Sequence, residues 1–281
     1  MEGSKESILL QPTAIGLLVN ENAMDDLKIF LNTLQLWNNT LPTLYIYCTS
    51  TIHIPEYKGV VHKKACLDIY SSLSRGKMEQ MPSRQGLANL FHDFTVEKCS
   101  LMEWAIQEHK DGVLFCDADI CWLGPLPSIP KGTVVALSPH EIRHADEKKY
   151  GTYNAGFLYI SSLEVTETWL KESLISDFFE QLSLDEVAKL YPTYIFGTHI
   201  NYGWWRMFQG PVSPEERKND WSIHKNEAYS GLYVKGIPVV CIHTHWKTND
   251  FITKMFNMWI LDKLQNLKKQ KKVASLIRCL S

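Results

Sequence analysis

The chain of 281 residues lacks most of the signatures that reveal a function at sight. It has no Gly-x-x-x-x-Gly-Lys-Ser/Thr loop and no Gly-x-Gly-x-x-Gly turn, and no lysine follows the Gly151/Gly156 pair. ATPases and dinucleotide oxidoreductases lose support, because both need a glycine-rich backbone to approach phosphates. No Gly-x-Ser-x-Gly elbow is present, which removes the usual setting of an α/β-type serine hydrolase. The seven cysteines, Cys48, Cys66, Cys99, Cys116, Cys121, Cys241 and Cys279, form no Cys-x-x-Cys pair. That disfavours a zinc ribbon and a dithiol redox centre. Their odd number, with several inside apolar runs, reads as buried thiols of a reducing compartment. No apolar run reaches the roughly 20 residues of a membrane span. The N-terminus, Met1 to Glu6, is polar, so the chain is expected to be soluble and cytoplasmic. A net charge of -2 provides no basic excess, so nucleic acid is not an expected partner.

What is present is a large apolar fraction, 45% of residues, arranged in alternating strand and helix patterns. Residues 13–19 read as a buried strand. Leu27, Phe30, Leu31 and Leu34 predict a helix over 25–37, ended by Pro42. Leu44 to Cys48 is a second strand, and Val60-Val61 belongs to a short third. Segment 66–93, punctuated by serine, arginine and glycine, is a mobile loop or a surface excursion. A helix over 95–109 is capped by Thr95, and a strand starts at Val113. Further strands are expected at Thr133 to Leu137, Tyr153 to Ile160 and Val239 to Ile242, with a polar loop from Ser138 to Thr152. Residues 164–190 and 251–279 are helical in pattern. The chain reads as one α/β domain over 1–250, a central mostly parallel sheet flanked by helices, followed by a helical extension over 251–281.

The most informative stretch runs from Val113 to Pro127. Its apolar strand ends at Asp117-Ala118-Asp119 and resumes at once as Ile120-Cys121-Trp122-Leu123-Gly124-Pro125. In open α/β sheets the ligand crevice lies at the carboxyl ends of the strands. Two carboxylates there are costly unless neutralised. A divalent cation bridging to a phosphate does this; capping of the turn is the bland alternative. His243 and His245 stand on one side of the end of the last strand. An imidazole ligand moves the preference from Mg²⁺ toward Mn²⁺. Lys98, on the helix before the aspartates, is either solvated or a cation reaching a diphosphate. Tyr202, Trp204, Trp205 and Arg206 surround Gly203, a surface turn whose rings, with Trp246, suit stacking on a sugar. Lys268, Lys269, Lys271 and Lys272, with Leu264, Leu267, Val273, Leu276 and Ile277, form a basic helix that is solvated or rests on an anionic membrane.

Four segments in order, "VLFCDADICWLGPLP", "YNAGFLYI", "NYGWWRM" and "CIHTHW", resemble glycosyltransferases of the GT-A fold that use a nucleotide-diphosphate sugar. The resemblance spans about Ala14 to Trp246 and is nearest to the glycogenin-like group. The chain is also similar to the capsid-glycan glycosyltransferases of large algal viruses, where xylosyl transfer is one activity and the host cytoplasm the location. The resemblance implies a GT-A, Rossmann-like domain, with a donor half over 1–127 and an acceptor half over 128–250. It implies Mn²⁺ or Mg²⁺ held by Asp119, Asp117 and His243, with His245 in reserve. Asn20, Lys98, Asp117, Ala118, Asn154, Ala155 and Gly156 are expected at the donor, and Tyr202, Trp204, Trp205, Arg206 and Trp246 at the acceptor glycan. The activity implied is transfer from a UDP-sugar, UDP-xylose being one candidate. In one respect the chain departs from the family. Glycogenin-like enzymes carry Asp-Gln-Asp shortly before an asparagine, whereas here Phe196-Gly197-Thr198-His199-Ile200 precede Asn201. That weakens a retaining mechanism and favours an inverting one, with Glu141, Asp146 or His199 as the base. A sugar nucleotidyltransferase and a non-catalytic carbohydrate-binding protein on a degenerate transferase fold are the alternatives. The first usually opens with a glycine-rich loop, which the residues from Asn20 to Asp26 lack.

Overall fold

The structure, a computed structural model, describes residues 8–280. The polar residues 1–6 read above lie outside them. Seven strands build the central sheet: β1 (Ala14–Val19), β2 (Thr43–Cys48), β3 (Val61–Ala65), β4 (Val113–Cys116), β5 (Val135–Pro139), β6 (Tyr153–Ile160) and β7 (Thr193–Ile195). Their order is β7-β5-β6-β4-β1-β2-β3. Pairs β4/β1, β1/β2, β2/β3 and β7/β5 are parallel, whereas β6 runs antiparallel to both β4 and β5. The sheet is thus mostly parallel.

The inner strands β1, β4, β5 and β6 are mostly apolar and buried because helices cover both faces, whereas the edge strand β3 is exposed. Side chains alternate along β1. Ile15, Leu17 and Val19 join the core under α1 (Met24–Trp37). Ala14 and Leu18 face the other side, with Leu101 and Met102 of α2 (Leu90–Glu108). Two further helices, α3 (Leu163–Ile175) and α4 (Phe179–Leu190), add Trp169 and Leu184 to that second core. A small sheet sits at the carboxyl end of β4. There Cys241–His243 pairs in parallel with Tyr202–Gly203 and antiparallel with Ile120–Trp122.

Several expected elements differ. Helix α2 begins five residues before Thr95, with Asn89 as its cap accepting from the His92 amide at 3.0 Å. The Ser and Arg punctuation before it is structured by Asp93. This buried carboxylate accepts from the Ser83 hydroxyl and the Arg84 amide. The polar stretch from Ser138 to Thr152 contains a short helix, His144–Tyr150, ended by Gly151 at φ 93. The span 164–190 is broken into α3 and α4.

The chain continues into α5 (Phe251–Gln265) and α6 (Lys271–Leu280). Leu264, Leu267, Val273 and Leu276, offered above as a membrane-facing set, are buried in the same core as β1 and α1. Among the described residues no helix is long and apolar enough to cross a membrane.

Candidate active site

Strand β4 stops at Cys116, and the Asp117 amide continues its ladder by donating to the Gly156 carbonyl of β6 at 2.8 Å. A tight turn, closed by the Ile120 amide on the Asp117 carbonyl at 3.3 Å, brings both aspartates to the sheet end. The small sheet then sets the register that places His243 opposite Ile120. His243 Nε2 lies 3.0 Å from Asp119 Oδ1 and 3.7 Å from Asp117 Oδ2. One ligand atom from each of Asp117, Asp119 and His243 lies within 4.8 Å of the others. Two hard carboxylates and one imidazole on a partly open cavity fit a Mn²⁺- or Mg²⁺-type ion. Gly156 makes this convergence possible: a Cβ there would overlap Asp117 Oδ2 and His243 Cε1.

Electrostatics follow from the crowding. Burial opposes the charge of Asp119, but His243 and His245 outweigh it and hold the carboxyl below its usual range. Asp117 goes the other way; burial raises its pKa against the pull of Lys98 and His243. Asp119, aided by the hydrogen bond that His245 donates to the Asp26 carboxylate, raises the His245 pKa to about 9. His245 Nδ1 sits 2.9 Å from Asp26 Oδ2, and its Nε2 lies 3.4 Å from Asp119 Oδ2.

Lys98 is held by partners within the protein. Its ammonium lies 3.1 Å from Asp117 Oδ1, 2.8 Å from Glu180 Oε1 and 3.3 Å from the Ala155 carbonyl oxygen. A lysine has three N–H donors, and these partners use all of them. In this structure Lys98 braces Asp117 while it lines both cavities at the aspartates. Ala155 supplies that carbonyl while its side chain is buried in the core, so it lines no cavity.

Two cavities meet at the aspartates. The narrower, 260 Å³, is bounded by Asn20, Asn22, Asp26, Met78, Phe94 and Ala118. The wider, 1000 Å³, is bounded by His140, Asn154, Gly156, Trp204, Trp205 and His243. Lys98, Asp117, Asp119 and His245 line both. A third cavity of 700 Å³, between Glu172 and Lys189, holds none of these groups. Asn20 is itself spoken for: it accepts from the Asn22 amide and donates to the Tyr70 and Leu73 carbonyls. Asn154 accepts from the Gly156 amide and from Asn201, which fixes its side chain beside the cavity.

The proposed bases stand outside both cavities. Asp146 pairs with Arg143 at 2.7 Å on the short helix His144–Tyr150. Glu141, in a left-handed backbone at φ 55, accepts from the Thr198 hydroxyl at 2.5 Å. His199 is half-buried, its pKa lowered by burial and Arg206, and it lines neither cavity. The aromatic turn is also corrected. Tyr202 is buried between Trp221 and Phe256. Arg206 is fully buried and donates to the Ser138 hydroxyl and the Thr198 and Pro139 carbonyls. Trp246 lies in the main core. Only Trp204 and Trp205 reach the wider cavity, Trp205 edge-on to His243 at 4.9 Å. Sequence reasoning missed Asp26 and Glu180. Both are acids in the first turn of a helix, a position that ordinarily needs no explanation beyond the helix dipole.

No family model and no curated protein matches the chain by sequence. Solved structures do. The galactosyltransferase LgtC, in complex with donor and acceptor sugar analogues, is similar with TM-score 0.52 and 13% identity over 85% of this chain and 91% of its own. The glycosyltransferase GlyE of Streptococcus pneumoniae TIGR4 is similar with TM-score 0.54 and 11% identity over 95% of this chain. The chain spans 62% of GlyE. The fold is that of a GT-A glycosyltransferase. On this fold the Asp-x-Asp pair stands at the junction of the two cavities.

Proposed function

We propose that this chain is a metal-dependent glycosyltransferase that moves a sugar from a nucleotide-diphosphate sugar to a hydroxyl of an acceptor glycan. The observation that carries this is the position of Asp117, Asp119 and His243 between a narrow and a wide cavity. A nucleotide fits the narrow side, a sugar and its acceptor the wide side, and the diphosphate falls at the cation site. A bound Mn²⁺ or Mg²⁺ would neutralise the leaving diphosphate. The chain's own residues hold that centre: Gly156 leaves room, Lys98 braces Asp117, and Asp26 orients His245. Mn²⁺ is favoured over Mg²⁺ by the imidazole. UDP, and xylose as the transferred sugar, rest on the resemblance alone.

Glu141, Asp146 and His199 line neither cavity, so an inverting transfer here calls for a base other than these three. A retaining transfer in which the leaving diphosphate accepts the acceptor's proton requires no such base. Following the anomeric configuration of the product by NMR separates the two outcomes. The nucleotidyltransferase alternative gains nothing from the loop after β1, where Asn20 caps a single turn, Glu21–Ala23, in place of a glycine-rich cradle.

The function is tested by a thermal-shift screen of nucleotide sugars with and without Mn²⁺. A matching donor stabilises the fold in proportion to its occupancy. Asp119→Ala is expected to abolish the Mn²⁺-dependent part of the shift. A shift that survives in Asp119→Ala refutes the site. A wild type that binds no nucleotide sugar and hydrolyses none refutes the transferase reading and leaves the carbohydrate-binding alternative.

A further inference from the structure

A chain of three charges runs from the buried pair Glu180 on α4 and Lys98 on α2 to the half-buried Asp117 at the end of β4. The side chains of Glu180 and Lys98 are 5% and 8% exposed. Their charges are therefore poorly screened, and each needs its partner. Asp117 uses its two oxygens differently. Oδ1 faces Lys98, and Oδ2 faces His243 in the space left by Gly156.

The backbone around Glu180 is built to hold it. Its carbonyl accepts from Trp169 Nε1 at 2.8 Å and from the Ser183 hydroxyl at 2.7 Å, which ties α4 to α3. The residue before it, Phe179, takes a left-handed backbone at φ 46. A bulky residue adopts that conformation only where its surroundings over-determine it. The turn it makes sends Glu180 inward to Lys98, at the edge of the wider cavity. No requirement of helix formation accounts for a buried acid there.

We propose that Glu180 and Lys98 are positioning residues that clamp Asp117 with one oxygen turned toward the cation. This rests on the cation-site reading above. Lys98 alone would draw Asp117 toward itself with its whole charge. Glu180 takes up part of that charge and fixes the ammonium in place, so Asp117 stays available to the metal. The brace comes from α4, earlier in the chain than the stretch before Asn201 where the family resemblance placed its carboxylates.

Mn²⁺ binding without any donor tests this, read from the EPR signal of free Mn²⁺. Glu180→Gln is expected to weaken affinity about tenfold or more, as loss of an outer-shell partner does. Glu180→Asp keeps the charge but is too short to reach Lys98, and it is expected to weaken affinity likewise. If an unpaired Lys98 prevents folding, Lys98→Met/Glu180→Gln removes both charges together. That pair is expected to fold and still bind weakly, because nothing then holds Asp117. Circular dichroism confirms that each variant compared is folded. If any folded variant binds Mn²⁺ as tightly as wild type, Glu180 acts only as one more charge near the site and the proposal fails. A wild type that binds no Mn²⁺ overturns the cation site itself, and this proposal with it.

Discussion

At the scale of single residues, the site depends on an absent side chain. Gly156 lies in an ordinary strand, so its need is spatial and has nothing to do with φ. Gly156→Ala would drive a methyl group into Asp117 Oδ2 and His243 Cε1. The expected result is loss of Mn²⁺ binding from a folded protein, measured by EPR and circular dichroism; retained Mn²⁺ affinity would show that the three ligands converge elsewhere. His140 gives a second residue-level prediction. Burial lowers its pKa to about 4, while Nδ1 lies 3.2 Å from the Gly151 carbonyl oxygen. The unfolded chain takes up this proton near pH 6.5 and the folded chain does not, so stability is complete above pH 6.5. It falls progressively as pH drops toward 4, by about 3 kcal/mol. Urea unfolding of wild type and His140→Gln between pH 4 and 7 checks this; the variant should lose most of the slope. The sequence displayed Asp117, Asp119 and His243 because their types and strand-end positions are unusual. It could not display Glu180 or Asp26, which differ from other helix-start acids only in what they meet across the fold.

At the scale of elements, the narrower cavity owes its wall to the segment just after β1. Asn20 and Asn22 donate to the Leu73 carbonyl. Glu21 accepts from the hydroxyls of Thr49, Thr51 and Ser71 and from the Ser72 amide. Partial burial opposes its charge, but the bonds from Thr49, Thr51 and Ser72 outweigh it and bring its pKa down to about 2. The wall residues Leu73, Ser74 and Arg75 are thereby fixed opposite Phe91 and Phe94. Glu21→Gln removes charged hydrogen bonds worth about 1.5 kcal/mol or more, so UDP binding is expected to weaken roughly tenfold. Mn²⁺ affinity should stay unchanged, because Glu21 touches no metal ligand. Calorimetric titration with UDP decides, and undiminished affinity would remove the clamp from the account. Little of this was legible beforehand. Segment 66–93 has no hydrophobic period; its order comes from Asn20, Glu21 and Asn22 reaching it from the turn after β1, and from Asp93 at its own end. Thr95 was taken for a helix cap because its type fits, yet its hydroxyl bonds back to the His92 carbonyl at 3.0 Å inside a helix already under way.

At the scale of the whole molecule, strand and helix order was readable because both sheet faces are covered and each buried strand is one apolar run. The antiparallel setting of β6 was not readable, since strand direction leaves no mark on composition. Nor was the fate of the C-terminus. Its basic residues suggested an external surface, but an amphipathic helix looks the same whether lipid or protein covers its apolar side. Here protein does. Val273, Leu276 and Leu280 enter the core beneath α1, and Lys272 lies over the Trp37 ring at 5.1 Å. Helix α1 also carries Asp26, the partner of His245, so α6 supports the helix that presents one side of the site. Leu276 is fully buried, and Leu276→Ala is expected to cost about 2–5 kcal/mol, the transfer loss plus a cavity the fold refills only in part. No residue of α6 lines either cavity at the aspartates, so the Mn²⁺ affinity of the folded variant should match wild type. Urea unfolding and Mn²⁺ titration on the same sample separate the two effects. A loss below about 1 kcal/mol would mean that α6 is not part of the cooperative core, and a loss of Mn²⁺ affinity in folded protein would mean that strain at α6 reaches His245 through α1.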